Sequence, residues 1–174
     1  MDAWLDRLRK EITDTTGDLS ESDWSRAPEG RWNSAQIMEH LGRSYGTTAK
    51  MLELAMATGS PPQVRSAKFT ETLLKLLIVD MQVFPSGAKA PAMVIPHSDE
   101  PGPVALKRAL CNLERMDTAL LEAEDRWGKG PIAMHLIMGP LNAEQWRKFH
   151  YCHGHHHVRQ MLKRIGAKTT PSVV

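Results

Sequence analysis

The feature that most constrains this chain's fold is the segment FHYCHGHHHVRQ, residues 149–160, which contains five of its eight histidines. At about 100° of rotation per helical residue, His153 and His157 fall about 40° apart on one face. Trp146 and Phe149 share that face, which predicts that it is buried. Because an imidazole buried without a partner is costly, the two rings require a partner inside a helical core.

Apolar residues at helical spacing predict four main helices. The second and the fourth begin with capping boxes, Asn33 with Gln36 and Asn142 with Gln145, in which each side chain bonds the backbone of the other residue. The predicted helices cover about residues 2–16, 34–57, 104–127 and 143–165.

The middle of the chain is less regular. Residues 69–84 predict a shorter helix, whereas residues 85–103 carry five prolines and predict a long loop that could form a wall or lid of a site. Residues 20–32 are expected to be a connecting loop, and no segment alternates as a strand would. We therefore predict an all-α, up-and-down four-helix bundle, forming a single domain over residues 1–174.

Composition excludes several functional classes. The formal net charge is +2 and scattered, which gives no reason to expect a nucleic acid or an anionic membrane as partner. The segment MDAWLDRLRKEI lacks the apolar core of a signal peptide, and the most apolar window, LLKLLIVDMQVF, is too short to span a bilayer. Cys111 and Cys152 are expected to be free thiols. These features predict a cytoplasmic protein that acts on a small molecule.

The spacing of His153 and His157 favours two interpretations. Two imidazoles one turn apart can bind one metal ion through nitrogens at about 2.0–2.1 Å, or they can be hydrogen-bonded core residues. A zinc-type site needs a third ligand, and His40 offers one, because it lies on the buried face of the second helix with Ile37 and Leu41. Three histidines from two helices would leave an open coordination position, as catalytic sites do.

The blocks RWNSAQIMEHL and GPLNAEQWRKFHYCHGHHHVRQ resemble the DinB-like (YfiT-like) superfamily of metalloenzymes, in its branch of domain-of-unknown-function 1569 type. The resemblance covers nearly the whole chain and implies a four-helix bundle with a divalent metal on three histidines, which by motif are His40, His153 and His157. This chain departs from the branch in having Leu136 where proline is common. The branch also carries an arginine at a short, variable distance from the second ligand, and in this chain that arginine is Arg159.

Three neutral imidazoles would make the metal a strong Lewis acid, and nitrogen ligands favour zinc or nickel. Gly154 follows His153, so the HExxH pattern of zinc proteases is missing. The resemblance implies transfer of a low-molecular-weight thiol as the first expectation. A metal-dependent hydrolase with water as nucleophile, and a non-catalytic metal or small-molecule binding protein, are the alternatives.

Further residues are candidates for the surroundings of the site. Gln160 lies on the ligand face, His156 on its flank, and His97 and His135 in segments that can reach the mouth. Cys152 is expected to be an inert buried thiol. The apolar window 73–84 predicts either a homodimer contact or a segment folded back on the core, with the dimer favoured.

Overall fold

The computed structural model describes residues 1–60, 63–84, 89–97 and 99–166. Its body consists of four long helices: α1 (Ala3–Thr16), α3 (Ser34–Thr58), α5 (Gly102–Trp127) and α6 (Ala143–Arg164). Shorter elements connect them: α2 (Glu21–Ser25), α4 (Phe69–Lys75) continuing as a π-helical turn (Leu76–Asp80), a 3-10 turn (Ala92–Val94), and the antiparallel strands β1 (Ala133–His135) and β2 (Gly139–Leu141). The predicted all-α bundle is confirmed.

Both predicted capping boxes are present. The Asn33 side chain accepts from the Gln36 N–H at 2.8 Å, and the Gln36 side chain accepts from the Asn33 N–H at 3.0 Å. Asn142 and Gln145 make the same pair of bonds at 2.8 and 3.1 Å. These caps fix where α3 and α6 begin, which places His40 about two turns into its helix.

The chain directions differ from simple alternation, because α3 and α5 run parallel. Gly42 lies against Ala109, where a Cβ on the glycine would be 3.2 Å from the alanine Cα. Further along both helices, Arg126 donates to the Met56 carbonyl at 2.9 Å. The long connection between Gly59 and Gly102 allows this, since it returns the chain to the end where α3 began.

The helices α1 and α6 are also parallel. The rings of Trp4 and Tyr151 are 5.2 Å apart, and further along both helices Glu11 lies 2.7 Å from Nδ1 of His155. Between α3 and α6 the contacts run in opposite senses, because His40 meets His153 whereas the later Thr48 meets the earlier His150. The four directions are therefore up, down, down, up.

Several short elements were missed or misplaced by the sequence predictions. The segment 20–32 is not all loop, because Ser20 and Asp23 form a capping box that starts α2. The predicted helix 69–84 ends at Asp80, and α5 begins at Gly102 rather than near Val104. The hairpin of β1 and β2 has three-residue strands, too short for an alternating pattern. Parts of the predicted loop 85–103, residues 85–88 and 98, lie outside the described residues.

The apolar window 73–84 is only partly folded into the core. Ile78 and Val79 are buried at 1% exposure, whereas Leu73 and Met81 are 56% and 60% exposed. Both interpretations of the window therefore keep some support, and the homodimer contact stays a prediction. Among the described helices, none combines the length and the apolarity needed to cross a membrane.

Gly154 marks the closest approach of α6 to its neighbours. A Cβ at this position would lie 2.6 Å from Cδ1 of Leu8 and 2.9 Å from the Tyr45 hydroxyl, and both side chains are fully buried. The structure shows that this glycine admits α1 and the Tyr45 side chain, so its role is packing.

We predict that Gly154→Ala destabilises the bundle by about 1–2 kcal/mol. Overpacking a buried site costs about 1–3 kcal/mol, and the higher helix propensity of alanine returns up to about 1 kcal/mol. Urea unfolding measures the difference. Gly130→Ala is the matched control, since a Cβ there meets nothing within 4 Å. Equal stability of the two variants would contradict the close packing of α6 on α1.

Candidate metal centre

Three imidazoles from two antiparallel helices meet inside the bundle. Nε2 of His153 lies 3.1 Å from Nε2 of His40 and 3.1 Å from Nε2 of His157. All three donor atoms lie within 4.8 Å of one another, and the three residues are only 3–7% exposed. The rings meet as the sequence predicted. That they bind a metal stays a prediction.

The Pro-rich connection fixes the orientation of His40. Its Nδ1 lies 2.8 Å from the Val94 carbonyl in the 3-10 turn. Because a carbonyl oxygen only accepts, Nδ1 of His40 must carry the proton. The Nε2 lone pair is then free and points toward the other two rings, which is the tautomer that a metal ligand needs.

A similar bond fixes His157. Its Nδ1 lies 3.0 Å from Oε1 of Gln160, and Nε2 of the same amide donates to Nε2 of His156 at 2.8 Å. Gln160 therefore joins two histidines and leaves Nε2 of His157 unprotonated. Gln160 and His156, both predicted to lie near the site, lie beside the three-histidine cluster, and Gln160 contacts one of its rings directly.

Aromatic rings, rather than a hydrogen bond at Nδ1, orient His153. Its ring stacks on Phe149 at 5.6 Å and on Phe84 at 5.2 Å, whereas its Nδ1 is buried without a hydrogen-bond partner among the described residues. The indole of Trp32 covers the opposite side of the cluster, 4.9 Å from the His40 ring and 6.5 Å from the His157 ring. The imidazoles thus lie in a largely apolar surrounding.

This surrounding keeps the imidazoles neutral. Burial lowers the pKa of His157 to about 3, and it holds the pKa of His153 well below the ordinary 6.5. Burial also lowers the pKa of His40, although the bond to the Val94 carbonyl partly opposes the shift. At neutral pH all three side chains are therefore uncharged, which is the form that can bind a metal.

Two of the three donor separations fit a divalent metal ion. Two nitrogens bonded to one ion at about 2.0–2.1 Å, at angles between about 90° and 109°, lie about 2.8–3.4 Å apart. The 3.1 Å between Nε2 of His153 and each of its two neighbours falls in this range. Without a cation, the unprotonated nitrogens of His40 and His157 both face a single ring that can donate at most one proton. A positive ion between them would satisfy all three lone pairs.

Charged side chains hold the 3-10 turn against α3. Arg43 donates to the Met93 carbonyl from Nε at 3.2 Å and from Nη2 at 3.1 Å, and its Nη1 lies 2.6 Å from Nε2 of His97. The His97 N–H donates to the buried carboxylate of Glu39 at 3.2 Å. These contacts keep the neighbouring Val94 carbonyl in place, so the loop forms one wall of the site, as its composition suggested.

Two residues predicted to lie near the mouth are elsewhere. The His97 side chain is 69% exposed on the outside of the turn, because its pairing with Arg43 turns it away from the cluster. His135 packs on the rings of Phe149 and Trp146, 4.4 and 5.2 Å away, and is separated from the three imidazoles by Phe149. Neither belongs to the converging group.

Two further histidines and the cysteine of α6 lie outside the cluster. His155 is half-buried against Glu11 of α1, 2.7 Å away. His150 is buried and bonded to Thr48 at 3.1 Å. Cys152 is a buried free thiol, as predicted, and burial raises its pKa to about 11, which makes it a poor nucleophile.

Sequence reasoning missed three contributors: the Val94 carbonyl and the rings of Phe84 and Trp32. A backbone carbonyl leaves no trace in residue type, so no sequence signal identifies Val94. Trp32 precedes the Asn33 cap, a position that commonly carries an apolar residue for the helix start. Its stacking over two imidazoles could not be read from that pattern.

Fold and site together define a helical-bundle protein with a three-histidine candidate metal centre. The chain belongs to the family described as "Protein of unknown function (DUF1569)", which matches residues 5–164. None of the curated proteins compared with it gives a match.

One solved structure with a similar fold is described as "YfiT from Bacillus subtilis is a probable metal-dependent hydrolase with an unusual four-helix bundle topology". The TM-score is 0.56 with 16% sequence identity, over 95% of this chain and 85% of that one. At this identity the likeness shows the fold alone. The family match confirms the predicted DUF1569 branch, and the fold likeness confirms the predicted four-helix bundle.

We predict that Gln160→Leu weakens zinc binding about 10- to 100-fold, because loss of an outer hydrogen bond to a ligand typically has an effect of this size. Competition with a chromogenic chelator measures the affinity. Gln160→Glu, which keeps an acceptor for the His157 N–H, should retain most of it. Arg159→Leu, at an exposed neighbouring position, is the control. Unchanged affinity in Gln160→Leu would mean that the amide does not orient the ligand.

Two histidines outside the cluster, the buried His150 and the half-buried His135, should make the metal-free fold acid-sensitive. Burial lowers the pKa of His135 to about 4 and of His150 to about 3, from 6.5. As the pH falls below about 6.5, these two imidazoles bind protons in the unfolded chain but stay neutral in the folded chain. The free energy of unfolding therefore falls with pH through this window.

His135→Asn separates the contribution of one ring. Asparagine can keep an acceptor for the Ile137 N–H, which lies 3.3 Å from Nδ1 of His135. Between pH 6.5 and pH 4, we expect the free energy of unfolding to fall in both proteins. The fall should be about 2–3 kcal/mol smaller in the variant than in the wild type. Urea unfolding of chelator-treated protein at several pH values tests this, and identical pH dependence would contradict it.

Proposed function

We propose that this protein is a divalent-metal-dependent hydrolase whose metal is held by His40, His153 and His157. The observation that carries the proposal is the meeting of three neutral imidazole nitrogens, with Nε2 of His153 3.1 Å from both of its neighbours. Burial of three such rings would be costly if they served packing alone.

A divalent metal in this position would supply Lewis acidity, polarising a carbonyl oxygen and lowering the pKa of water at the ion to about 7. The protein's own groups prepare the site for it. The Val94 carbonyl and the Gln160 amide hold the protons of two rings on Nδ1, away from the centre. Trp32 and Phe84 exclude bulk water from two sides, which strengthens electrostatic interactions inside.

Nitrogen donors support zinc or nickel as the ion, because manganese and magnesium favour carboxylates. Within the described residues, the converging group of possible ligands contains the three histidines and no carboxylate. Three protein ligands leave room for water or substrate, as in catalytic zinc sites, whereas structural zinc sites have four. This donor count favours catalysis over a purely structural metal.

Hydrolysis is preferred to thiol transfer because the fold relative YfiT is described as a probable metal-dependent hydrolase. Cys152 is buried with a raised pKa, so a thiol-dependent reaction would need a thiol from outside the chain. Transfer of a low-molecular-weight thiol stays a prediction from the sequence and would use the same three imidazoles.

The test is to load chelator-treated, tag-free protein with zinc or nickel and to assay aryl esters, aryl amides, and electrophiles with a thiol panel. We expect one ion per chain and metal-dependent hydrolysis that needs no thiol. His153→Gln should lose tight metal binding and lower hydrolysis at least about 100-fold, since it removes a ligand.

His155→Gln is the matched control, because this ring lies on the same helix but contacts Glu11 instead of the cluster. It should keep both the ion and the activity. Thiol-dependent turnover without hydrolysis would replace the proposal with transfer chemistry. Tight metal binding without turnover of any kind would favour a non-catalytic metal protein. The absence of metal binding would refute the metal site.

A further inference from the structure

The ligand face of α6 continues past Gln160 to an arginine. Residues 157 and 164 are seven apart, so at about 100° per residue they lie within about 20° of each other on the helix. Arg164 is the last residue of α6. The stripe that starts with two imidazoles and an amide therefore ends with a guanidinium group.

Arg164 is half-buried, and its Nη1 is buried without a hydrogen-bond partner in the part of the chain that the structure describes. Within the residues that the structure describes, no carboxylate forms an ion pair with it. A cation at a helix C-terminus is favoured by the helix dipole, but that effect requires no burial. A desolvated guanidinium N–H without an acceptor is costly, and such groups call for an explanation.

A second arginine, Arg31, directly precedes Trp32, whose indole lies 4.9 Å from the His40 ring and 6.5 Å from the His157 ring. Burial, and then the charge of Arg31, hold the pKa of Arg164 below its usual value. Two like charges repel each other, and an anion bound by both would relieve that repulsion.

Helix geometry relates Arg164 to the three-histidine cluster, because this residue lies about two turns beyond His157 on the same face of α6. The charge of Arg164 contributes to the lowered pKa of His157, and the Trp32 side chain connects the Arg31 segment to the same ring. With three neutral ligands, a divalent metal would keep its whole positive charge. The site would then present positive charge on both sides of a substrate, which suits a negatively charged molecule.

We propose that Arg164, assisted by Arg31, binds an oxyanion of the substrate and so places its hydrolysable bond over the three imidazoles. This inference rests on the proposed hydrolase function for the role of the bond, but the oxyanion site itself does not depend on it. Guanidinium groups bind carboxylates and phosphates through paired N–H donors. The substrate class is therefore an ester or amide that also carries a carboxylate or a phosphate.

The binding test is a titration of zinc-treated, full-length protein with succinate and, separately, with inorganic phosphate. The side-chain Nε–H resonances of arginine are followed by NMR, and the Arg164 signal is assigned from its absence in Arg164→Lys. We expect this signal to shift and saturate with at least one anion. The anion that binds more tightly identifies carboxylate or phosphate as the group that the substrate carries.

Variants separate recognition from general charge. Arg164→Met should weaken anion binding about 10- to 100-fold, the loss expected for a charge-assisted hydrogen bond, and Arg164→Lys should restore part of it. Arg9→Met is the control, since this arginine pairs with Asp6 on an exposed face of α1. Circular dichroism and thermal unfolding check that each variant is folded.

The activity test compares 4-nitrophenyl hydrogen succinate with 4-nitrophenyl butyrate, which replaces the carboxylate with a methyl group. Wild type should prefer the anionic ester about 10-fold or more in kcat/KM, and Arg164→Met should lose most of that preference. Equal use of both esters, together with an unmoved Arg164 resonance, would overturn the oxyanion site and leave the hydrolase standing. No hydrolysis of either ester, with a saturating shift at Arg164, would support the oxyanion site and refute the hydrolase.

Discussion

The structure depends on unprotonated imidazole nitrogens facing one another in an apolar interior. Such an arrangement is unfavourable by itself, since neutral lone pairs repel and each ring has lost its water. The bundle makes it possible by opposing α3 and α6, so that one ring from the first meets two from the second. Bonds from Nδ1 of His40 and His157 then fix the tautomers, and stacking on Phe84 and Phe149 fixes the ring between them. Packing of the bundle and these local contacts together hold the three imidazole nitrogens in place.

Much of this could be predicted from the sequence, because the signals were local. Two capping boxes fixed where α3 and α6 begin, and helical periodicity then placed His40, His153 and His157 on buried faces. The family resemblance indicated that the block with His40 and the block with His153 and His157 contribute to one site. Ser20 and Asp23 carried the same kind of signal for α2, which was overlooked because the helix is only five residues long.

Other features could not be predicted, because they depend on contacts distant in the sequence. The parallel course of α3 and α5 follows from how the long connection crosses the bundle, and helical periodicity carries no information on direction. His97 was a reasonable candidate for the mouth, but its bond to Arg43 turns it outward. His135 is kept from the cluster by a single intervening ring, that of Phe149. In each case the deciding partner lies more than ten residues away.

The bond from His40 to a main-chain oxygen has a consequence for how such proteins diverge. A side-chain acceptor would tie the orientation of the ring to one residue type, and its replacement would be visible when relatives are aligned. A carbonyl is present at every position of every chain. Position 94 can therefore change its side chain over evolutionary time while the ring stays oriented. What has to be kept is the course of the backbone, which the residue type at this position does not reveal.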